Sequence, residues 1–527
     1  MNFLVNGEPV RPSTAMPARD VTANDLAQLR SQFRGGNVLL PNDAGYGQVR
    51  FFNGRFDHIR PAGIVQPTSD EGVREAINFM TRNGIRFSVR GGGHHYEGHS
   101  QSRGVVIDLS RLQADLANQR LESSRPGAEA NLITVGAGNN LGQLYTAMSQ
   151  RNRVVPAGTA DTVGAIGHAL GGGLGDLTPQ FGYMAQNLEQ VRLVTYTGQI
   201  LDINDQGITE IRDGRATPYQ GNVTGADFMS ALRGGGQALA GIVTQAKFRT
   251  HDVSRHDMRY FEHKPANALS RDDTIRLISA WQNWQTSHPE FAGAVSSKLN
   301  ITRSGDQYSV DISGVIATTN PSQVEAIRRS MGEFTSLMGG APQSKFSSRP
   351  QSMAEIYAQN KDSPELFNNA ARKHHTVRSS MIPGQIPSDA VRYLVNNMIP
   401  GGDNPVTIYA AGGATFNGIE RTSLPRASLL VEMESVTRGN SSPDRLNAYH
   451  TGFMQASGNP YSYANYPGNG RIVTDPALIQ RIRDEFDPRR IVQNPLADII
   501  QSQNPHRGIT PIAQQTATPA RSPQAQA

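Results

Sequence analysis

The sequence predicts an α+β fold in two parts, and three observations carry that prediction. A chain of 527 residues exceeds what one ordinary compact core supports, so two domains, or one large domain with a cap, are expected. Up to His251 short strands, helices and glycine-rich turns alternate, the mixture of an α+β domain. After His251 the glycine loops thin out and β-rich stretches interleave with helical ones, as in a second domain whose antiparallel sheet is covered by helices.

The elements follow in order. Thr68-Ser69-Asp70-Glu71 has capping-box spacing, and Val73, Ala76, Ile77 and Met80 continue at helical period until Asn83-Gly84 stops the helix. Ile85, Phe87 and Val89 then alternate with Arg86, Ser88 and Arg90, a strand that runs into Gly91-Gly92-Gly93. Further strands are predicted at Val105–Leu109, Leu132–Val135 and Val191–Tyr196, the last turning at Thr197-Gly198 towards Gln199-Ile200-Leu201. Helices are expected at Asn140–Gln150 and Asp227–Leu232. In the second part, strands are expected at Tyr308–Ile316 and Ser428–Met433, and helices at Asp272–Gln285 and Pro476–Glu485. From Gln501 onward Pro, Gln, Thr and Ala dominate without acidic residues, the composition of a disordered tail.

Composition removes several classes of function. The chain has no cysteine, which excludes disulfides, thiolate metal sites, a cysteine nucleophile and any cysteinyl cofactor link. A net charge of +5 is spread without a run of five or six Lys/Arg, so neither nucleic acid nor an anionic membrane is an expected partner. Met1 to Val10 lacks a basic region followed by a long apolar core, and no run of 18 apolar residues occurs, so the expected location is the cytoplasm.

Chemistry concentrates in the glycine loops. Arg90-Gly91-Gly92-Gly93-His94-His95-Tyr96-Glu97-Gly98-His99-Ser100 follows a predicted strand, and consecutive glycines expose amides that suit a pyrophosphate. The blander alternatives are a tight turn and a structural histidine. His95 and His99 have the i, i+4 spacing of helical zinc ligands, but the neighbouring glycines oppose a helix and no Glu follows the first His as metalloprotease chemistry needs, so no metal site is assigned. A second loop runs from Pro156 through Gly158, Thr159, Ala160, Val163, Gly164, Gly167 and His168 into Gly171-Gly172-Gly173, and a third is Arg233-Gly234-Gly235-Gly236 before Gly241-Ile242-Val243. None has the G-x-G-x-x-G pattern followed by an acidic residue, which disfavours a nicotinamide site. Three separate loops imply a long, extended ligand.

These motifs, from about Arg60 to Thr244 and again from Tyr461 to Gln493, resemble the FAD-binding domain of the berberine-bridge-enzyme-like branch of the vanillyl-alcohol oxidase / p-cresol methylhydroxylase (PCMH) superfamily. The resemblance implies a two-part PCMH-type FAD-binding domain plus a substrate domain. The corresponding division is an N-terminal segment 1–55, the FAD-binding domain 56–251, the substrate domain 252–455, a C-terminal return 456–500 and the tail 501–527. It also implies that Arg90, Gly91, Gly92, Gly93, His95, Gly98 and Ser100 hold the cofactor and that His94 carries FAD covalently through the 8α-methyl carbon. Gly158, Thr159, Val163, Gly164, Gly167, His168, Gly171, Gly241, Val243, Tyr463 and Asn465 complete the implied set. Ala160 stands where many relatives have a second, cysteinyl tether, so the FAD is expected to be monocovalent. In the family His168 lies beside the flavin N1/C2=O edge, where a positive group would stabilise the anionic reduced form; the alternative is a cap on the glycine turn. Val163 matches a position where Val accompanies reaction with dioxygen. Two positions depart from the family: Leu239-Ala240-Gly241 replaces the usual Asn-Phe-Gly, and Gln186 replaces a common Asp.

On the substrate side, Tyr463-Ala464-Asn465-Tyr466 resembles the family's Tyr-x-Asn-Tyr motif, which makes Tyr466 a candidate base, provided a cation or donor lowers its pKa. Glu432 and Glu434 occupy alternate positions of an apolar strand and share a face, so either is a second candidate. Trp281 and Trp284 read as packing. The expected function is an FAD-dependent oxidase that dehydrogenates a small organic substrate by hydride transfer and reoxidises with O2 to give H2O2, in secondary metabolism. The alternatives are a carbohydrate or alcohol oxidase, a dehydrogenase with another acceptor, and a non-redox cyclase or binding protein on the same fold.

Overall fold

The computed structural model describes residues 3–5, 8–10, 19–50, 53–238, 241–360, 373–437, 443–468, 470–488, 492 and 500. The expected tail from Gln501, and Leu239 and Ala240 of the third loop, lie outside the described residues. The predicted helix spans Asp70–Asn83 and ends at Gly84 with φ of 63°, a left-handed stop that glycine adopts without strain. Its N-cap is Ser69, one residue later than the capping-box spacing suggests. The Thr68 hydroxyl instead donates to the carbonyl of Gly35, across to the neighbouring strand.

This helix packs on a four-stranded sheet ordered Gly36–Leu39, Gly63–Pro67, Val105–Asp108, Phe87–Arg90, in which the last three strands are parallel. The glycine triplet therefore leaves the carboxyl end of a buried parallel strand, where an open α/β sheet presents its ligand crevice. A second, antiparallel sheet of seven strands contains Ala130–Gly136, Leu188–Thr195, Ile200–Asn204 and Gly241–Arg249. The helix Leu141–Ser149 is capped by a box formed by Asn140 and Gln143. The predicted helix at 227–232 is longer, Gly225–Gly235, and breaks at Arg233 and Gly234. These elements share one apolar core, which the returning helix Pro476–Phe486 completes with Leu478, Ile482 and Phe486.

The later part of the chain forms another antiparallel sheet of seven strands, ordered Gln343–Phe346, Asp257–Lys264, Gln307–Thr318, Val295–Ser304, Gly401–Ala410, Leu429–Thr437, His374–Ile382. Side chains alternate across a strand. Leu299, Ile301, Val406, Ile408, Val431 and Met433 lie in a second core with residues of the helices Arg271–Ser287, Ser388–Asn397 and Asp444–Ser457. Trp281 and Trp284 belong to it, fully buried, each donating its indole N–H to a serine hydroxyl, Ser297 at 3.0 Å and Ser330 at 2.9 Å. The opposite face is polar in register: Asn300 pairs with Thr407, Lys298 with Tyr409, and Thr407 with Glu432. Among the described residues no helix is long and apolar enough to cross a membrane.

Candidate active site

The polar face of this sheet and the glycine loops of the first part enclose one cavity of about 480 Å³. On the loop wall stand Gly91, Gly92, Gly93, His94, His95 and Ser100, then Gly158, Thr159, Val163, Gly164, Gly167 and His168, then Gly241 and Val243. On the sheet wall stand Lys298, Asn300, Thr407, Tyr409, Glu432 and Glu434, with Asn465 and Tyr466 between the walls. Loops far apart in sequence thus converge on one elongated site. The cradle is tight: a Cβ on Gly92 would lie 2.2 Å from the amide nitrogen of Gly164. Only bare backbone lets the two loops touch, and at Gly167 a Cβ would meet nothing within 4 Å. An extended, phosphate-bearing ligand fits such a surface.

Four of the residues implied to hold the cofactor do not line the cavity and act from behind it. Arg90 forms an ion pair with the fully buried Asp108 at 2.9 Å, and its guanidinium lies where a Cβ on Gly93 would be, 2.7 Å from Nε. It supports the loop from below. Gly98, with φ of 70°, turns over the ring of Phe56. Gly171 leaves room for Asn465, whose Oδ1 would sit 2.1 Å from an added Cβ. The hydroxyl of Tyr463 accepts from the amides of Leu174, at 2.8 Å, and Asn465, at 3.1 Å. The third glycine loop also departs from the expectation: Gly235 packs against Ile479 and Val473, Arg233 is buried on Asp205 and the carbonyl of Leu188, and of that triplet only Gly236 reaches the cavity.

The electrostatics bear on two further expectations. His168 accepts the Gly158 N–H at Nε2, 2.9 Å, and burial lowers its pKa to about 4. Burial therefore favours the neutral ring, which bonds the glycine loop that precedes it. Tyr466 was expected to need a cation or donor that lowers its pKa, yet burial first, and then Glu432 and the phenols Tyr96, Tyr409 and Tyr463, hold its pKa well above the usual 10. This shift runs opposite to the lowering that a role as base needs. Glu434 does share the cavity face with Glu432, and its Oε1 lies 2.7 Å from Nδ1 of the buried His375. His94 is a neutral imidazole as well, lowered to about 3 by burial and then by the charge of Arg90.

Gln186, the departure from the family's Asp, accepts from the Tyr183 amide and donates to the carbonyls of Thr415 and Asn417, so it ties the glycine loops to the later part of the chain. Sequence reasoning missed Lys298, Asn300, Thr407, Tyr409 and Gln237. The signal for the first four was the polar alternation in Lys298-Leu299-Asn300-Ile301 and Thr407-Ile408-Tyr409, which reads equally as a solvent face until the sheet is placed. Gln237 donates to both the Gly167 carbonyl and Asn465 Oδ1; no motif marked it.

The fold and the site together are those of an α+β chain whose glycine loops wall an extended cavity. Residues 61–204 match the family described as FAD binding domain. The chain is 31% identical over 240 residues, 44% of its length and 46% of the relative's, to the FAD-linked oxidoreductase hasG of Aspergillus fumigatus. It is 28% identical over 287 residues, 51% of the chain and 48% of the relative, to berberine bridge enzyme-like 18 of Arabidopsis thaliana. The chain spans about half the length of these curated relatives. The solved structure of BBE-like 1 from Physcomitrella patens superposes with a TM-score of 0.72 at 22% identity, covering 89% of this chain and 98% of that one. Residues 61–204 thus carry an FAD-binding domain, and the chain as a whole shares the fold of the BBE-like structure.

Proposed function

We propose that this chain is an FAD-dependent oxidase that dehydrogenates a small organic substrate between the glycine loops and the polar face of the second sheet. The observation that carries the reading is the shared cavity, in which Glu432 on the sheet wall and Tyr466 line the same space as the loops that would hold FAD. When bound, FAD supplies a two-electron acceptor that passes its electrons to dioxygen, giving hydrogen peroxide. His94, neutral and on the cavity wall, would be its one covalent anchor, because Ala160 offers no second nucleophile.

The chain's own residues divide the remaining work. Glu432 takes the proton that leaves the substrate heteroatom as hydride departs, since it lines the cavity and the pKa of Tyr466 is raised well above its usual value. Tyr466 donates a hydrogen bond that orients substrate or carboxylate. Glu434, bound to His375, shapes the far end of the cavity. Lys298, Asn300 and Thr407 supply hydrogen-bonding groups along the sheet wall, which favours a polar substrate over a purely aliphatic one.

The test is anaerobic addition of a panel of alcohols, sugars, phenols and amines to the yellow protein, followed by air. Bleaching and rapid recovery of colour with peroxide formation support the oxidase. Bleaching without recovery in air points to another acceptor, and bound flavin that no donor bleaches sinks the redox reading. Acid precipitation addresses the tether: colour should stay with the protein.

A further inference from the structure

The first glycine loop is held from two directions, and one of the holds reaches the substrate side of the molecule. Beyond the glycines the loop closes in a tight turn: the His95 carbonyl accepts from the Gly98 amide at 3.0 Å, and His95 Nδ1 accepts from the Glu97 amide at 3.2 Å. Glu97 therefore moves as one piece with the loop. Its carboxylate accepts from Arg378 at 2.7 Å and from Arg55 at 3.2 Å. Arg55 belongs to the short helix Gly54–Phe56, whereas Arg378 stands on the strand His374–Ile382 of the second sheet.

That strand is a firm support. Arg378 is buried and also donates from Nε to Oδ1 of Asn447, 2.8 Å away on the helix Asp444–Ser457. In the sheet it pairs with Met433, between Val377 opposite Glu434 and Ser379 opposite Glu432. Ser379 donates its hydroxyl to the Tyr466 carbonyl at 2.7 Å and accepts from the Tyr463 amide at 3.0 Å. One strand thus fixes the sheet wall of the cavity, the segment that bears Tyr466 and, through Glu97, the first glycine loop.

We propose that Glu97 is a positioning residue that sets the spacing between the loop wall and the sheet wall. The inference rests on the redox reading given above, in which the substrate carbon yields a hydride to FAD and its heteroatom yields a proton to Glu432. The reacting atoms of such a step must approach to about 3–3.5 Å, and a misplacement of about 1 Å can cost on the order of 10²-fold in rate. A charged tie suits this task, because hydrogen bonds between ionised partners are shorter and stronger than neutral ones and so hold a defined length. The pair is largely shielded from water, with side-chain exposures of 19% for Glu97 and 8% for Arg378.

The experiment uses the full-length protein with its flavin bound. Glu97→Asp keeps the charge and shortens the tie by a methylene, whereas Glu97→Gln keeps the length. Arg378→Lys keeps the charge but loses the planar fork that spans Glu97 and Asn447. Arg55→Met removes the partner of Glu97 that lies outside the sheet. Glu97→Asp and Arg378→Lys should each slow anaerobic flavin reduction at saturating donor about 10–100-fold. In Glu97→Asp the half-saturating donor concentration should hold, because the sheet wall is intact. Glu97→Gln and Arg55→Met should lose far less. The circular dichroism of the bound flavin reads the same displacement without a donor, and it should change in Glu97→Asp and Arg378→Lys but not in Arg55→Met. Unimpaired reduction in Glu97→Asp and Arg378→Lys overturns the inference, as does a loss that follows FAD content, an equal loss in Arg55→Met, or dichroism that no substitution alters. Flavin that no donor bleaches in the unsubstituted protein sinks the redox reading instead, and the dichroism then decides by itself whether Glu97 sets the spacing.

Discussion

At the scale of the residue, the site depends on which groups are charged. Three of its rings are kept neutral by burial: His94 with its pKa at about 3, His99 at about 4 and His168 at about 4. Burial raises the pKa of Tyr466 well above its usual value, and Glu432 is the group proposed here to accept a proton. Glu432→Gln should therefore slow anaerobic flavin reduction about 10²–10⁴-fold, the usual worth of a general base, with FAD content unchanged. Tyr466→Phe should slow it less and raise the substrate concentration needed. Stopped-flow reduction of both variants checks this, and a larger loss in Tyr466→Phe would reverse the assignment. Val163 lines the same cavity on the loop that bears Ala160. Val163→Leu should leave reduction intact and slow reoxidation in air, which a double-mixing experiment separates.

At the scale of the element, the glycine loops are supported from beneath and closed by contact with one another. Arg90 and Asp108 brace the first loop, and Gln66 and Ser110 complete the Asp108 carboxylate at 2.8 and 2.7 Å. Gly92 and Gly164 then meet backbone to backbone. Neither neighbour is a flexible side chain, so a methyl group at Gly92 cannot be absorbed by a rotamer change. Gly92→Ala should cost about 1–3 kcal/mol, the range for forced overpacking. It should also lower the FAD-to-protein absorbance ratio. Thermal unfolding together with that ratio measures both effects; unchanged values would show that the loops separate freely.

At the scale of the whole molecule, two cores hold the loop wall and the sheet wall against each other. Asn53 fastens them, donating to the carbonyl of His375 at 2.7 Å and accepting its amide at 3.1 Å. Burial of neutral histidines has a global consequence. His99, His168, His251 and His450 each have pKa values lowered to about 4, against an ordinary value near 6.5. Between those values the unfolded chain binds protons that the folded chain refuses, so unfolding gains free energy as pH falls. Stability should be intact above pH 6.5 and decline progressively towards pH 4, before most carboxylates titrate. Urea unfolding at pH 7.5, 6 and 4.5 tests the sign, and a midpoint that holds constant across that range would contradict it.

Much of this was legible in the sequence, and what was legible shares a cause. Helix 70–83, the strand before Gly91 and the helix after Asn140 are written in local period and capping, and the glycine runs announce backbone that must be approached closely. His94 and the three glycine loops could be named because neighbours in sequence carry the signal. Local reading failed where neighbours in space decide. Ser69 caps in place of Thr68 because Thr68 is drawn to Gly35, and Arg90 turns down to Asp108 instead of towards the cavity. Tyr466 keeps its proton because the fold brings Glu432 and three phenols to it and buries them together. The polar row of Lys298, Asn300, Thr407 and Tyr409 gained its meaning only when the sheet was set over the loops. By itself the sequence determined that a cofactor wall exists and which histidine stands on it. Only the tertiary structure decided which groups face that wall and in what charge state, because burial and electrostatic coupling arise from packing and not from order along the chain.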